Sequence, residues 1–260
     1  MTEIVIRNKH LLEMLDKTVD MFLEHRELCE ELSDSLQRDI PVQEWERFCQ
    51  ENYLHEMIAK GDDHKGFPEK GYGFQVSHGV KHRPDVFEPL MKWTKTELPM
   101  QFGARSNSLT SYYPPNGFVG WHTNWNAHGY QIILTWSEDG DGYFSYYDRK
   151  SDTIITEPDV KGWQARWYRF GRKDEPQHHC WHTAWTNCPR FTLAFKFPYH
   201  IGGDVYEDAA LDAINDFVEE LETACLFSIV MIYCMYDYEK TSDRNRCAQY
   251  IGFSIRRNRK

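Results

Sequence analysis

The sequence predicts an α+β fold with a mainly β core, a sandwich or barrel flanked by helices. Three observations carry this reading. Residues 107–197 alternate short β-branched and aromatic runs with Gly, Asp, Asn and Pro punctuation, the pattern of many short strands. The stretches on either side carry apolar residues at helical spacing. Apolar residues make up 41% and aromatic residues 15% of the 260 positions, enough for a substantial core.

The first third reads as helical. Leu11, Leu15, Val19 and Phe22 fall on one helical face, and Ser33-Asp34-Ser35 interrupts the pattern. Pro41 suits the first turn of a second helix, with Val42, Trp45 and Cys49 on one face. Residues 61–71, rich in Gly, Asp and Lys, read as a loop. A third helix starts near Pro84 and carries Val86, Leu90 and Trp93, with Pro89 inside it.

Strands are expected at 108–113, 118–122, 130–136, 142–147, 153–156, 164–170, 179–182 and 190–197, with a hairpin turn at 149–152. Residues 204–221 return to helix, placing Leu211, Ile214, Val218 and Leu221 on one face. The apolar run 224–235 is too short to span a bilayer and reads as a buried helix; the tail 256–260 is basic and frayed. The expected organisation is a helical region at 1–104 packing on the barrel, a β core at 105–200 and a helical region at 201–260, in one compact domain overall.

Formal net charge is −10, from 30 basic and 40 acidic residues. This argues against a non-specific nucleic-acid binder, which normally presents a basic surface. The seven cysteines form no C-x-x-C pair and are odd in number, so reduced thiols in a cytoplasmic protein fit better than a zinc ribbon or a disulfide framework. No signal-peptide pattern opens the chain, and no membrane association is expected.

Two stretches carry chemistry. In residues 112–136, His122 and Asn124 stand two apart, so on a strand both side chains face one side and can meet one metal ion. In residues 178–197, His182 precedes Arg190 by eight, and Arg190 and Thr192 are again two apart. Two histidines and a carboxylate on one face of a metal leave positions open for a chelating co-substrate and dioxygen. An arginine suits the distal carboxylate of such a co-substrate, and a hydroxyl beside it adds a hydrogen bond.

With these residues in place, the chain resembles the 2-oxoglutarate/iron(II)-dependent oxygenases, within them the prolyl-4-hydroxylase-like group, including phage-type forms. Tyr113 stands nine residues before His122 with Gly117 between, as in that group. The resemblance covers residues 105–197. It implies a double-stranded β-helix of jelly-roll or cupin-like form and a phage or bacterial source. It implies iron(II) at His122, Asn124 and His182, and 2-oxoglutarate on Tyr113, Arg190 and Thr192, with ascorbate as a supporting reductant. The implied activity is a dioxygenase that hydroxylates an aliphatic C–H bond of a peptide, peptidyl-proline included, or of a small molecule.

One departure from the family's H-x-D/E pattern is His122-Thr123-Asn124. An amide oxygen is neutral and a weaker ligand than a carboxylate. Three readings are open: Asn124 ligates weakly or yields its position to water, Asp139 or Asp141 supplies the carboxylate, or the fold persists as a non-catalytic binding protein. A cupin-like metal module or isomerase without an oxo-acid is a further alternative. Trp121, Trp125 and Trp136 are candidates for a substrate cleft, against the commoner role of aromatic packing. His178, His179 and His128 read as solvated loop positions, and strand alternation turns His179 away from the face of His182.

Overall fold

A computed structural model describes residues 2–36, 39–101 and 106–223. The chain divides into Met1–Thr223 and Ala224–Lys260. The expected helix at 224–235, the basic tail and Cys225, Cys234 and Cys247 lie outside the described residues.

The first region runs β1 (Thr2–Ile4), α1 (Lys9–Leu23), α2 (Arg26–Glu31), β2 (Asp34–Ser35), a 3₁₀ helix (Val42–Cys49), α3 (Glu51–Ala59), β3 (Gly71–Gln75), α4 (Val76–His82), α5 (Pro84–Lys92) and α6 (Leu98–Gln101). Asn8 caps α1 by accepting the Leu11 N–H, and Leu11, Leu15, Val19 and Phe22 are all buried, as their spacing requires. α5 starts on Pro84 and holds Pro89, and a π turn at Trp93–Glu97 follows it. The turn after Pro41 is 3₁₀ rather than α. It buries Trp45, Phe48 and Cys49 and leaves Val42, in its first turn, exposed.

Eight strands follow: β4 (Ser106–Tyr113), β5 (Phe118–His122), β6 (Gly129–Ser137), β7 (Gly142–Asp148), β8 (Thr153–Pro158), β9 (Gly162–Phe170), β10 (His182–Thr186) and β11 (Arg190–Phe197). The short hairpin β12 (His200–Ile201) and β13 (Asp204–Val205) leads to α7 (Glu207–Glu222). β9-β6-β11-β4 form one layer and β5-β10-β7-β8 the other, all antiparallel. β3 pairs with both β4 and β5 and joins the layers at one side.

In chain order the eight strands visit the layers as first, second, first, second, second, first, second, first. That palindrome is the winding of a double-stranded β-helix, a jelly roll of cupin type. Gly117 makes the first crossing tight. Its N–H donates to the Pro114 carbonyl at 2.7 Å, and a Cβ there would lie 2.6 Å from that oxygen.

Alternation sorts the β11 side chains. Phe191, Leu193, Phe195 and Phe197 face out into the main core, which they share with α1, α5 and α7 through Leu15, Phe22, Phe87, Ile214 and Phe217. Arg190, Thr192 and Ala194 alternate with them and face the barrel interior. The other layer buries Phe118, Trp121, Trp181 and Trp185 under Trp45, Phe48 and Met57.

Two strand expectations change. The strand placed at 179–182 starts at His182 and runs to Thr186, because Pro176–His178 is a 3₁₀ turn. β1 and β3, in the region read as helical, add strands to the sheet at β9 and between the layers. Among the described residues, no helix is long and apolar enough to cross a membrane.

Candidate metal centre

β5 ends at His122 and β10 begins at His182, and the two residues are direct partners in the antiparallel register. That register sets the imidazoles side by side, with ring centroids 4.0 Å apart and both residues buried. Each ring donates Nδ1–H to the carbonyl two residues before it: His122 to Gly120 and His182 to Cys180, both at 2.8 Å. The proton is thus held on Nδ1 and the lone pair on Nε2, the tautomer a metal ligand needs.

Burial pushes the His182 pKa down to about 4. It pushes His122 well below the usual range, with the neighbouring His182 ring adding to the shift. Both rings are neutral at pH 7. Phe144 and Phe170 wall the His182 ring at 5.5 and 5.0 Å, which keeps the site dry on that side.

Asn124 reaches the same point by a different route from the one expected. The strand stops at His122, and Asn124 sits in the left-handed region at φ 56°, ψ 22°, which short polar residues tolerate. Its N–H donates to the Gly66 carbonyl at 2.6 Å, which fixes the turn. Its side chain then turns back, and Nδ2 donates to His182 Nε2 at 3.2 Å. The three side chains converge through a turn, not through strand alternation. Rotating the amide by half a turn presents Oδ1 at the same place.

Among the described residues, no carboxylate joins them. Asp141 accepts from Asn187 beyond the far end of β10, and Asp139 lies 3.8 Å from Lys161 on the surface. The alternative that either acid completes the set therefore has no support in the geometry. Among the described residues, no group of three His, Cys, Asp or Glu side chains is placed to hold a metal.

The trio Tyr113, Arg190 and Thr192 does come together. Arg190 and Tyr113 are direct partners on β11 and β4, with the guanidinium 5.9 Å from the ring centre. Arg190 donates to Thr192 Oγ1 at 3.0 Å and to Thr135 Oγ1 at 3.4 Å. Its Nε, however, donates to Asp159 Oδ2 at 2.8 Å, with side chains 4% and 0% exposed. Asp159 also accepts from Gln164. The space beside Arg190, walled by Thr135, Phe144 and Tyr168, is about 10 Å³, too little for an organic dianion. A bound 2-oxoglutarate carboxylate does not fit Arg190 in this arrangement. The imidazole pair, by contrast, fits a divalent metal in tautomer and charge.

The three tryptophans separate. Trp121 is fully buried in the aromatic cluster under the 3₁₀ helix, and Trp136 lies on the outward face of β6 opposite Phe191. Neither lines a cleft at the histidines. Trp125 does line a hollow beside them, with His64, His179 and Trp181. His64 went unnoticed in the sequence. It is buried, and its Nε2 lies 2.9 Å from the hydroxyl of Thr123, the residue between His122 and Asn124. Burial lowers its pKa to about 4. His179 is half-buried and donates Nε2–H to the Arg172 carbonyl, so it is held in a loop rather than turned by a strand.

No protein-family model matches this sequence, and no curated protein matches it. Among solved structures it is similar to a cupin domain from Bordetella pertussis, with 12% identity, 35% of this chain and 78% of that chain covered, and a TM-score of 0.23. It is also similar to an oxalate oxidase in complex with the substrate analogue glycolate, with 10% identity, 45% and 61% covered, and a TM-score of 0.27. The Drosophila melanogaster CENP-C cupin domain shows 4% identity, 34% and 57% covered, and a TM-score of 0.23. The chain thus spans less than two thirds of the last two chains. The fold assignment stands on the strand order itself.

The depressed histidines predict an acid-sensitive metal-free protein. The unfolded state binds protons near pH 6.5 and the folded state only near 4 for His64 and His182, so their stabilisation is present above 6.5 and lost as pH falls. Each should cost about 2 kcal/mol between pH 7 and 5, a window largely above ordinary carboxylate titration. Urea denaturation at the two pH values checks this; equal midpoints would mean that the rings are not neutral and buried.

Proposed function

We propose that this chain is a mononuclear metalloprotein on a double-stranded β-helix, with iron(II) as the first candidate metal, held by His122 and His182 with Asn124 in the third facial position. The observation that carries the proposal is the pair of buried neutral imidazoles, partnered across β5 and β10, each with Nδ1–H tied to its own strand. Bound iron(II) supplies dioxygen chemistry that side chains cannot perform. The chain's own part is to fix the ring tautomers, to exclude water through Phe144 and Phe170, and to leave the metal one formal charge more positive than a carboxylate site would.

A second reading, the 2-oxoglutarate-dependent dioxygenase acting on a C–H bond of a peptide or small molecule, is favoured by the meeting of Tyr113, Arg190 and Thr192. It requires Asp159 to release Arg190. One anaerobic titration separates the readings: metal-free protein receives iron(II), then 2-oxoglutarate, in the natural sequence and in Asp159→Asn. Iron(II) bound at one per chain supports the metal centre, and absence of binding overturns it. A visible charge-transfer band on adding 2-oxoglutarate supports the second reading. No band in either protein, with iron(II) bound, removes it.

A further inference from the structure

We infer that the stretch 64–70, between α3 and β3, positions the metal centre, with His64 and Gly66 as positioning residues and the Asn124 amide as the group they aim. This inference rests on the metal reading above and adds to it the residues that set the third ligand position. The turn after β5 meets the stretch residue by residue. The Thr123 hydroxyl lies 2.9 Å from His64 Nε2. The Asn124 N–H donates to the Gly66 carbonyl at 2.6 Å. The Trp125 indole packs against Gly66, where a Cβ would come within 2.8 Å of the ring. Gly66 stands at φ 83°, so this path of the backbone requires a residue without a side chain.

Both histidine strands are held by the same stretch. On β5, Gly120 donates its N–H to the Lys70 carbonyl at 2.8 Å, and the carbonyl of Gly120 accepts His122 Nδ1–H. On the other side, the His64 ring stands 4.7 Å from the Trp181 ring. Trp181 links His182 to Cys180, whose carbonyl accepts His182 Nδ1–H. One short segment therefore touches the supports of both imidazoles and the turn that carries Asn124.

Energetics separate positioning from simple packing. His64 is 3% exposed, and among the described residues its Nδ1 has no partner. A half-satisfied buried imidazole is a poor stabiliser, and an apolar side chain would fill the space at less cost. What the imidazole adds is direction. It fixes the hydroxyl of the one residue between His122 and Asn124, just where the chain leaves the strand for the left-handed region. A residue in that region stays there because its surroundings hold it. With the turn held, the Asn124 side chain returns to His182 Nε2.

The test compares the natural full chain, His64→Leu combined with Thr123→Val, and His64→Gln. The double variant removes both polar partners, so its melting temperature should hold or rise. Metal-free protein gives the first readout: the Asn124 side-chain amide in nitrogen–proton correlation spectra, displaced in the natural chain by its bond to His182. In the double variant it should move to the position of a free amide. Iron(II) affinity, read by competition with a metal-binding dye, should fall about tenfold. The amide of His64→Gln reaches as far as Nε2 and should restore both signals. An Asn124 amide unmoved in the double variant overturns the inference, whether or not iron(II) binds. Unchanged iron(II) affinity in a variant whose amide has moved overturns it as well. Failure of His64→Gln to restore either signal assigns the effect to packing and also overturns it. If the natural chain binds no iron(II), the metal reading falls, and the amide spectrum alone decides whether His64 aims Asn124.

Discussion

Arg190→Ala is expected to destabilise the protein by about 3–5 kcal/mol, because it leaves Asp159 charged, fully buried and without its cation. Thr192 and Thr135 also lose a donor, and Gln164 remains as the described donor to the stranded carboxylate. Removing both charges should cost much less. Arg190→Met combined with Asp159→Leu replaces an ion pair by apolar groups of similar length, and should recover at least half of the loss. Chemical denaturation of the two variants against the natural sequence measures this. A loss below about 1 kcal/mol in Arg190→Ala would mean that the pair is solvated. Arg190→Ala alone is therefore a poor probe of co-substrate binding: lost activity in it reports a damaged barrel before it reports a missing carboxylate clamp.

This pair also marks where the sequence stops being informative. β5 and β11 are readable to the residue, since Pro115, Asn116 and Gly117 precede the first and Pro189 and Pro198 bracket the second. The imidazole pair is readable as well, because two strands carrying histidine at matching ends need only the right register to meet. Asp159 is not readable. It follows Pro158 at the end of β8 and looks like ordinary turn punctuation, and only the jelly-roll winding carries it to Arg190, 31 residues away. His64 is hidden for the same reason, its contact with Thr123 spanning 59 residues. β3 is hidden by composition: its GYGFQ sequence contains two glycines that weaken any strand signal. Asn124 shows a subtler failure. Strand alternation continued two residues past His122 predicts convergence, and convergence is found, but a left-handed turn produces it.

That turn makes Asn124→Asp an informative change. Aspartate tolerates the left-handed region as asparagine does, so the backbone and its bond to Gly66 should persist. The substitution places a carboxylate beside His182 Nε2 and converts a two-imidazole amide site into two imidazoles and a carboxylate. Iron(II) should bind about tenfold more tightly or better, a gain of at least about 1.4 kcal/mol. His182→Ala works in the opposite direction. It removes one of the two imidazoles and leaves the amide of Asn124 without its acceptor, so affinity should fall by about a hundredfold, near 2.7 kcal/mol. Competition against a metal-binding dye measures both. Tightening in Asn124→Asp together with loss in His182→Ala would locate the ion between these side chains. If Asn124→Asp leaves affinity unchanged while His182→Ala abolishes binding, the third position belongs to solvent, and the two strands alone hold the metal.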